Sequence, residues 1–222
     1  MPVRTTRRDV LIGLCCASMA PLATRAQAQG APEPGADYIV LNVRQPPIEA
    51  SDKIEVVDFF GYWCPHCFEF IGALEPWRKG LPADVAYQHV PVAFNPTETA
   101  LSMTFYSLQT LNRLEDMHVK VFQAIHVDRK RLFDPNDIAD FMAANGIDRA
   151  KWLAVFNSFS VASAVNRANQ IWQSYRIDGT PTLACDGRFL TSPSIARNRG
   201  PAYALAVMDY LLERVRRERR KK

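Results

Sequence analysis

Cys64 and Cys67 are the residues of this chain whose types and spacing point most directly to chemistry. A C-x-x-C pair can be half of a zinc site, a structural disulfide or a redox-active disulfide. A zinc site needs a second ligand pair, and outside the first 28 residues the sequence has one further cysteine, Cys185, with no histidine at ligand spacing beside it. His118 and His126, eight residues apart, are predicted to be exposed residues of a helix. The pattern therefore favours redox chemistry, and Cys185 is predicted to be a buried, unreactive thiol.

The cysteines stand between a strand pattern and a helix pattern. Residues 56–60 form a short apolar run, which is typical of a buried strand, and apolar residues at 68, 71 and 74 recur at the spacing of a helix face. Cys64 is therefore predicted at the N-terminus of a helix, where unpaired N–H groups and the positive end of the helix dipole favour a thiolate. Pro65 fits the first helical turn because its missing N–H removes no hydrogen bond there.

The run FFGYWCPHC at 59–67 resembles the active site of the thioredoxin superfamily, and its Pro-His dipeptide resembles that of the DsbA-like members. A second motif, GTPT at 179–182, stands where that superfamily has a cis-proline loop. The resemblance covers roughly residues 37–215. It implies an α/β thioredoxin fold with a helical domain inserted between the two halves of the sheet. It also implies that Pro181, with Thr180 before it, lies against the active-site cysteines.

The chemistry available to the cysteine pair is thiol–disulfide exchange. A substrate thiolate attacks Cys64, a mixed disulfide forms, and a second substrate thiolate displaces Cys64 and leaves the substrate oxidised. A low pKa of Cys64 speeds that displacement and makes the pair more oxidising. Cys67, one turn further into the helix, is predicted to be the buried resolving cysteine. His66 is either inert or a donor that stabilises the Cys64 thiolate, and we favour the donor; with Pro65 it completes the predicted catalytic set.

Further site residues follow from the resemblance. Thr180 and Pro181 would present main-chain groups to an extended substrate, a form of strand addition. Trp63, Tyr62 and Pro65 would add apolar contacts to the substrate, although Trp63 is also compatible with a place in the core.

Asp58, an acid within an apolar strand, has two interpretations. It resembles the buried acid that relays protons to the resolving cysteine, or it is a paired or exposed acid of the strand face. DsbA-like proteins pair the buried acid with a lysine on the following strand. Tyr87-Gln88-His89 occupies that region here, so the sequence predicts that the pair is broken.

Residues 1–28 have the features of a signal peptide. Three arginines among the first eight residues precede a moderately apolar stretch at 10–23, and small residues around Ala28 offer a cleavage site. The arginines also resemble a twin-arginine export signal. The apolar stretch is too short and too diluted for a retained membrane span. We expect export to the periplasm, with Cys15 and Cys16 removed together with the leader.

The hydrophobic patterns of the rest of the chain divide it into predicted strands, helices and domains. Strands are predicted at 38–43, 85–94, 182–185 and 188–190, and residues 96–176 are helical in period. Pro76 is predicted to kink or end the first helix. The predicted segments are a linker at 29–36, a thioredoxin-like domain at 37–95 and 177–215, an inserted helical domain at 96–176, and a basic C-terminal tail at 216–222.

The net charge of +4 reflects the two ends of the chain, since seven of the last nine residues are basic. No aromatic residues alternate with these charges, so the pattern argues against nucleic-acid binding. The tail is predicted to be a solvated helix end, and its deletion is predicted to leave stability and turnover nearly unchanged.

The function predicted from these patterns is that of a monomeric periplasmic thiol:disulfide oxidoreductase. It would donate the Cys64–Cys67 disulfide to newly exported proteins with reduced cysteines, with no other cofactor. A DsbB-like, quinone-linked membrane oxidase would reoxidise it. One alternative is a disulfide isomerase or reductase of the same superfamily, which Thr180 would suit. Another is a Cu(I) carrier, which the lack of a Met- or His-rich tract near Cys64 disfavours.

Overall fold

The structure is a computed structural model, and it describes Met1 and residues 30–221. Apart from Met1, the predicted signal peptide lies outside the described residues. Within them, five strands form one sheet that packs with seven α-helices and one 3-10 turn. The elements are β1 (Ile39–Val40), β2 (Ile54–Phe60), α1 (Pro65–Lys79), β3 (Val85–Pro91), the 3-10 turn (Pro96–Glu98), α2 (Thr99–Thr110), α3 (Leu114–His126), α4 (Pro135–Ala144), α5 (Arg149–Phe156), α6 (Phe159–Ser174), β4 (Thr182–Cys185), β5 (Phe189–Thr191) and α7 (Pro201–Arg219).

The sheet places β2 in its interior. The strand order is β1-β5-β4-β2-β3, with β2 and β3 parallel and the other neighbours antiparallel. Every residue of β2 is buried, as expected for a strand that is covered on both faces. At Phe60 the strand ends and the chain passes directly into the turn before α1. A fully buried interior strand therefore holds the start of the cysteine motif.

Helices cover both faces of the sheet. Val56 of β2 belongs to the apolar cluster formed with α1 and α7, whereas Val57 and Phe59 belong to the cluster formed with α6. Full burial of one such side chain contributes about 1.5–3 kcal/mol to folding. These two clusters hold the interior strand in position from both sides.

Helices α2 to α6 lie between β3 and β4, where the sequence predicts a helical insertion. Their buried side chains form a core that continues into the start of α1 and includes Cys64 and Cys67. The Asp134 carboxylate accepts a hydrogen bond from the N–H of Asn136 at 2.8 Å and so caps the start of α4. The insertion therefore forms one wall of the region around the two cysteines.

Three element boundaries differ from the sequence prediction. The predicted strand 38–43 forms a ladder only at Ile39–Val40, because its partner β5 turns away at the Asp186–Gly187 corner, where both residues have positive φ. The predicted strand 85–94 ends at Pro91, because β2 ends opposite it at Phe60.

The third difference concerns Pro76, which lies inside α1 and does not end it. The helix loses one hydrogen bond there, and the following residues hold its last turn in place. Trp77 donates from Nε1 to the Asp209 carboxylate of α7 at 2.8 Å, and Arg78 donates to Glu75 at 2.9 and 3.1 Å.

The predicted C-terminal tail is part of α7 as far as Arg219. Arg216 donates to the Asp84 carboxylate at 2.6 and 2.8 Å, and Arg219 donates to the buried Asp186 carboxylate at 2.8 Å and to the carbonyl of Asp52 at 2.5 Å. In the described part of the chain, no helix combines the length and apolar character needed to cross a membrane.

These contacts argue against the prediction that deletion of the tail leaves stability nearly unchanged. Deleting residues 216–222 should lower the free energy of unfolding by about 1–2 kcal/mol, because Arg219 is lost from a buried carboxylate and from backbone acceptors. Urea denaturation of the parent and the truncated protein measures the change. A deletion of residues 220–222, which leaves Arg216 and Arg219 in place, is the matched control. Equal stability of all three proteins would restore the view of a dispensable tail.

Candidate active site

Cys64 caps helix α1, as the sequence predicts. Its backbone is extended (φ −85°, ψ 117°), its N–H donates to the Gly61 carbonyl at 3.0 Å, and Pro65 occupies the first helical turn. Cys67 lies in that same turn. Both cysteines are free thiols and both are 3 % exposed, so burial by itself does not tell the attacking sulfur from the resolving one.

Their acidities do distinguish them. A hydrogen bond from Cys67 lowers the pKa of Cys64 to about 6 against the opposing effect of burial, and the Thr180 side chain and the N–H groups of Cys67 and His66 act in the same direction. Burial raises the pKa of Cys67 well above its ordinary value, and the neighbouring Cys64 adds to that effect. At neutral pH, Cys64 is thus the thiolate and Cys67 is the thiol.

The loop before β4 reaches the cysteines from a distant part of the sequence. The Thr180–Pro181 peptide bond is cis, and the Cys64 thiol lies 3.2 Å from the Thr180 carbonyl oxygen. The Thr182 hydroxyl donates to the Gly179 carbonyl at 2.9 Å and closes the loop. The two sequence motifs, 116 residues apart, therefore form one site.

The imidazole of His66 pairs with a carboxylate on the same helix. The side chain is 74 % exposed, and Nδ1 pairs with the Glu69 carboxylate at 3.1 Å. The hydrogen bond to Glu69 raises the pKa of His66, and the charges of Glu69 and Cys64 act in the same direction. The imidazole thus binds Glu69, a residue that the sequence pattern did not indicate, while the backbone N–H of His66 supports the thiolate.

Trp63 is half-buried beside the cysteines. Its Nε1 donates to the Val92 carbonyl at 3.0 Å, and its ring packs edge-to-face against Phe94 with centroids 5.7 Å apart. A Cβ at Gly61 would collide with the Trp63 indole, so this close approach requires glycine. The hydrogen bond to Val92 and the contact with Phe94 therefore fix the Trp63 side chain, which remains partly exposed.

Tyr62 is buried, so the prediction that it contacts substrate is wrong. Its hydroxyl lies 2.7 Å from Nδ1 of His118, a fully enclosed residue of α3. His126 is half-buried, with Nε2 at 2.8 Å from the Tyr62 carbonyl. The prediction that both histidines are exposed is also wrong. Phe122, four residues from each on the same helix face, was the signal for their inward orientation.

The pair of Asp58 with a lysine is absent, as the sequence predicts, and a histidine takes the place of the lysine. Nδ1 of His89 lies 3.0 Å from the Asp58 carboxylate. Asp58 and His89 are register partners on the parallel strands β2 and β3, which puts the two side chains on the same face of the sheet. An imidazole therefore occupies the place of the lysine that the family resemblance implies.

Cys185 is fully buried in β4, as predicted. Burial raises the pKa of its thiol to about 12, and the Asp186 charge contributes in the same direction. It plays no part in the arrangement around Cys64.

Comparisons with known proteins agree with this site. Residues 81–197 match the family described as DSBA-like thioredoxin domain. The chain is 43 % identical over 213 residues to the thiol:disulfide interchange protein DsbA of Bordetella parapertussis, covering 96 % of this chain and 99 % of that protein. The DsbA of Pseudomonas aeruginosa is 34 % identical over 203 residues, covering 91 % and 93 %.

Solved structures show the same likeness. The crystal structure of Pseudomonas aeruginosa DsbA superimposes with a TM-score of 0.79 at 34 % identity, covering 85 % of this chain and 96 % of that one. DsbA from Xylella fastidiosa superimposes with a TM-score of 0.76 at 29 % identity, covering 83 % and 98 %. The predicted thioredoxin fold with a helical insertion is confirmed. The chain therefore belongs to the DSBA-like thioredoxin domain family.

Proposed function

We propose that this protein is a periplasmic thiol:disulfide oxidoreductase that donates a Cys64–Cys67 disulfide to newly exported proteins. The observation that carries the proposal is the position of the C-x-x-C pair, with Cys64 at the N-terminus of α1 and its thiol 3.2 Å from the Thr180 carbonyl oxygen in the cis-proline loop. The lowered pKa of Cys64 and the raised pKa of Cys67 agree with it. A stabilised Cys64 thiolate favours the reduced enzyme and thus makes its disulfide a strong oxidant.

The reaction balances in two exchanges. A substrate thiolate attacks Sγ of Cys64, the Cys64–Cys67 bond breaks, and Cys67 leaves with the electron pair and takes up a proton. A second substrate thiolate then attacks the substrate sulfur of the mixed disulfide, and Cys64 leaves as its stable thiolate. The substrate loses two electrons and the enzyme gains them. Pro65, at the first helical position, preserves the N-terminus that supports this leaving group.

Residues around the cysteines would hold the substrate. Thr180 and Pro181 border a groove of about 280 Å³ that His66 and Glu69 also line. An extended peptide with its cysteine at Cys64 would lie along this groove by strand addition. The exposed edge of Trp63 would add apolar contact, and the positive charge that Glu69 favours on His66 would act on the Cys64 thiolate.

The enzyme would work with its own disulfide as the redox group. We propose Asp58 as the acid that supplies the proton to Cys67, since both residues line one small cavity. A DsbB-like, quinone-linked membrane oxidase would return the enzyme to its disulfide form, and the protein would act as a monomer.

The test is an activity comparison on two substrates with the protein lacking residues 1–28. One substrate is a reduced, unfolded protein with two cysteines, and the other is a fully oxidised protein with scrambled disulfides. We expect stoichiometric oxidation of the first and little recovery of the second. Faster recovery of the scrambled substrate would instead support the isomerase, and no reaction with either would overturn an oxidoreductase function.

A further inference from the structure

Two histidines and one glutamate meet between α1, β3 and α3. Glu75 lies on α1, His89 on β3 and His118 on α3. One carboxylate oxygen of Glu75, one ring nitrogen of His89 and one of His118 all lie within 4.8 Å of one another. His118 is buried, and the side chains of Glu75 and His89 are only 16 % and 10 % exposed. The fold therefore brings three atoms that can bind a metal ion together inside the protein.

Both imidazoles of this cluster are fixed by a second partner. Nδ1 of His89 lies 3.0 Å from the Asp58 carboxylate, and Nδ1 of His118 lies 2.7 Å from the Tyr62 hydroxyl. Nε2 is therefore the nitrogen that each ring has left for a metal ion. Histidines that bind a metal through one nitrogen almost always hold the other nitrogen in this way, because that contact fixes the tautomer and the ring orientation.

The charges around the cluster favour a divalent cation. Arg78 is shared between two carboxylates, since it lies 2.9 Å from Glu75 and 2.9 Å from the exposed Glu115. The Asp58 carboxylate adds a third negative charge to this one guanidinium, so the group with neutral imidazoles has a formal excess of two negative charges. Burial of charge without a counter-charge is costly. Protonation of His89 offsets one of the two charges, whereas a divalent ion offsets both.

Glu75 can bind a metal ion without releasing Arg78. Both of its carboxylate oxygens accept hydrogen bonds from Arg78, at 2.9 and 3.1 Å. Each oxygen has a further lone pair, and carboxylates that ligate metals are themselves hydrogen-bonded as a rule. The contact with Arg78 therefore orients the carboxylate.

The distances require only a small contraction. The centre of a triangle with sides of 4.8 Å is about 2.8 Å from each corner, whereas zinc binds nitrogen and carboxylate oxygen at about 2.0–2.2 Å. Each ligand atom would therefore move inward by about 0.7 Å at most. Rotation of the terminal torsions of histidine and glutamate, whose energy wells are broad, is enough for such a shift.

The types of ligand select the metal. Two imidazoles and one carboxylate, with water as the fourth ligand, form a known coordination set of zinc. Ca²⁺ and Mg²⁺ prefer oxygen ligands, and Cu(I) prefers sulfur. The rings of Phe60 and Phe105 pack edge-to-face against His89, so the surroundings are apolar and suit a structural ion.

We propose that Glu75, His89 and His118 form a zinc site that joins α1, β3 and the inserted helices. Helix α1 carries both cysteines and α3 belongs to the insertion, so the ion would fix the cysteine helix against the insertion. Zinc has no redox chemistry, so the site is independent of the proposed oxidase function and leaves disulfide exchange to the cysteines. An ion that binds only the folded protein stabilises it against unfolding.

Titration with Co²⁺, a spectroscopic substitute for Zn²⁺, tests the site directly. The protein is used without a histidine tag and with Cys64 and Cys67 joined in a disulfide, so that their thiolates do not bind the metal. We expect about one equivalent of Co²⁺ to bind, with the intense visible absorption of a four- or five-coordinate ion, and to be displaced by Zn²⁺. No binding, or only the weak absorption of octahedral Co²⁺, would overturn the site.

Three variants remove one ligand each. His89→Asn and His118→Asn keep a polar atom at the position of Nδ1 and lose Nε2, and either should weaken Co²⁺ binding at least about tenfold. Glu75→Gln, at a partly exposed position, should weaken it as well and decides the matter if the histidine variants do not fold. The control His126→Gln changes a histidine of α3 outside the cluster and should bind as the parent does. Parental affinity in the ligand variants would show that the ion is held elsewhere.

The structural role has its own measurement. Zn²⁺ should raise the urea midpoint of the oxidised parent and of His126→Gln, and it should leave the midpoint of His118→Asn unchanged. An equal shift in all three proteins, or none in the parent, would contradict an ion that joins the three elements.

Discussion

Replacing either Cys64 or Cys67 by serine is expected to reduce oxidase turnover to the uncatalysed background, because disulfide donation needs both sulfur atoms. The two variants should nevertheless differ strongly from each other. Cys67→Ser keeps the Cys64 thiol at the helix N-terminus, where a serine hydroxyl can replace the hydrogen bond from Cys67, so the pKa of Cys64 stays below its ordinary value. Cys64→Ser keeps the enclosed Cys67, whose pKa burial raises well above its ordinary value, so far less of it is thiolate at pH 7.

The difference can be measured with oxidised glutathione at pH 7, by following the mixed disulfide with mass spectrometry. A thiolate of low pKa is a weaker nucleophile, which offsets part of its abundance. We still expect the adduct to form at least about tenfold faster in Cys67→Ser than in Cys64→Ser. Cys185→Ala, which changes a buried thiol outside the site, is the control and should retain full turnover. Equal adduct formation in the two serine variants would contradict the assignment of the attacking sulfur.

Reduction of the protein should make its stability strongly pH-dependent. The pKa of Cys64 is lowered to about 6 in the folded state, against about 8.5 in an unfolded chain. A lowered pKa contributes stability above the unfolded value, and that stability is lost as the pH falls through about 6. The reduced form should therefore gain about 1.4 kcal/mol at pH 7 and about 2.5 kcal/mol at pH 8, relative to pH 5.

The oxidised protein provides the internal reference. It has no ionisable thiol at Cys64 or at Cys67, so the contribution of the Cys64 thiolate is absent from it. Closure of the short C-x-x-C loop stabilises the oxidised form by about 2 kcal/mol at most and does not depend on pH. Cys67, with its raised pKa, opposes the trend only above about pH 8. Urea denaturation of both forms at pH 5, 6, 7 and 8 gives the difference directly. A difference that stays constant across this range would show that Cys64 is not a stabilised thiolate.

Much of the site could be predicted from the sequence because the patterns that define it extend over only a few neighbouring residues. An apolar run, two cysteines and a proline at a helix start determine that Cys64 caps α1, since strand burial, helix period and proline geometry act over a few residues. The GTPT motif identified the second part of the site at Thr180 and Pro181. The helical insertion followed from the change of period between β3 and β4.

The partners of the polar side chains were decided only by the tertiary structure. His89 was taken as the residue that breaks the Asp58 pair, yet the parallel register of β2 and β3 brings it to 3.0 Å from that carboxylate. His118 was expected on the surface, yet the insertion turns it onto Tyr62. Hydrogen bonds and ion pairs of this kind join residues that are 31 to 56 positions apart. No local pattern specifies such a distance, because register and helix orientation arise only when the whole core packs.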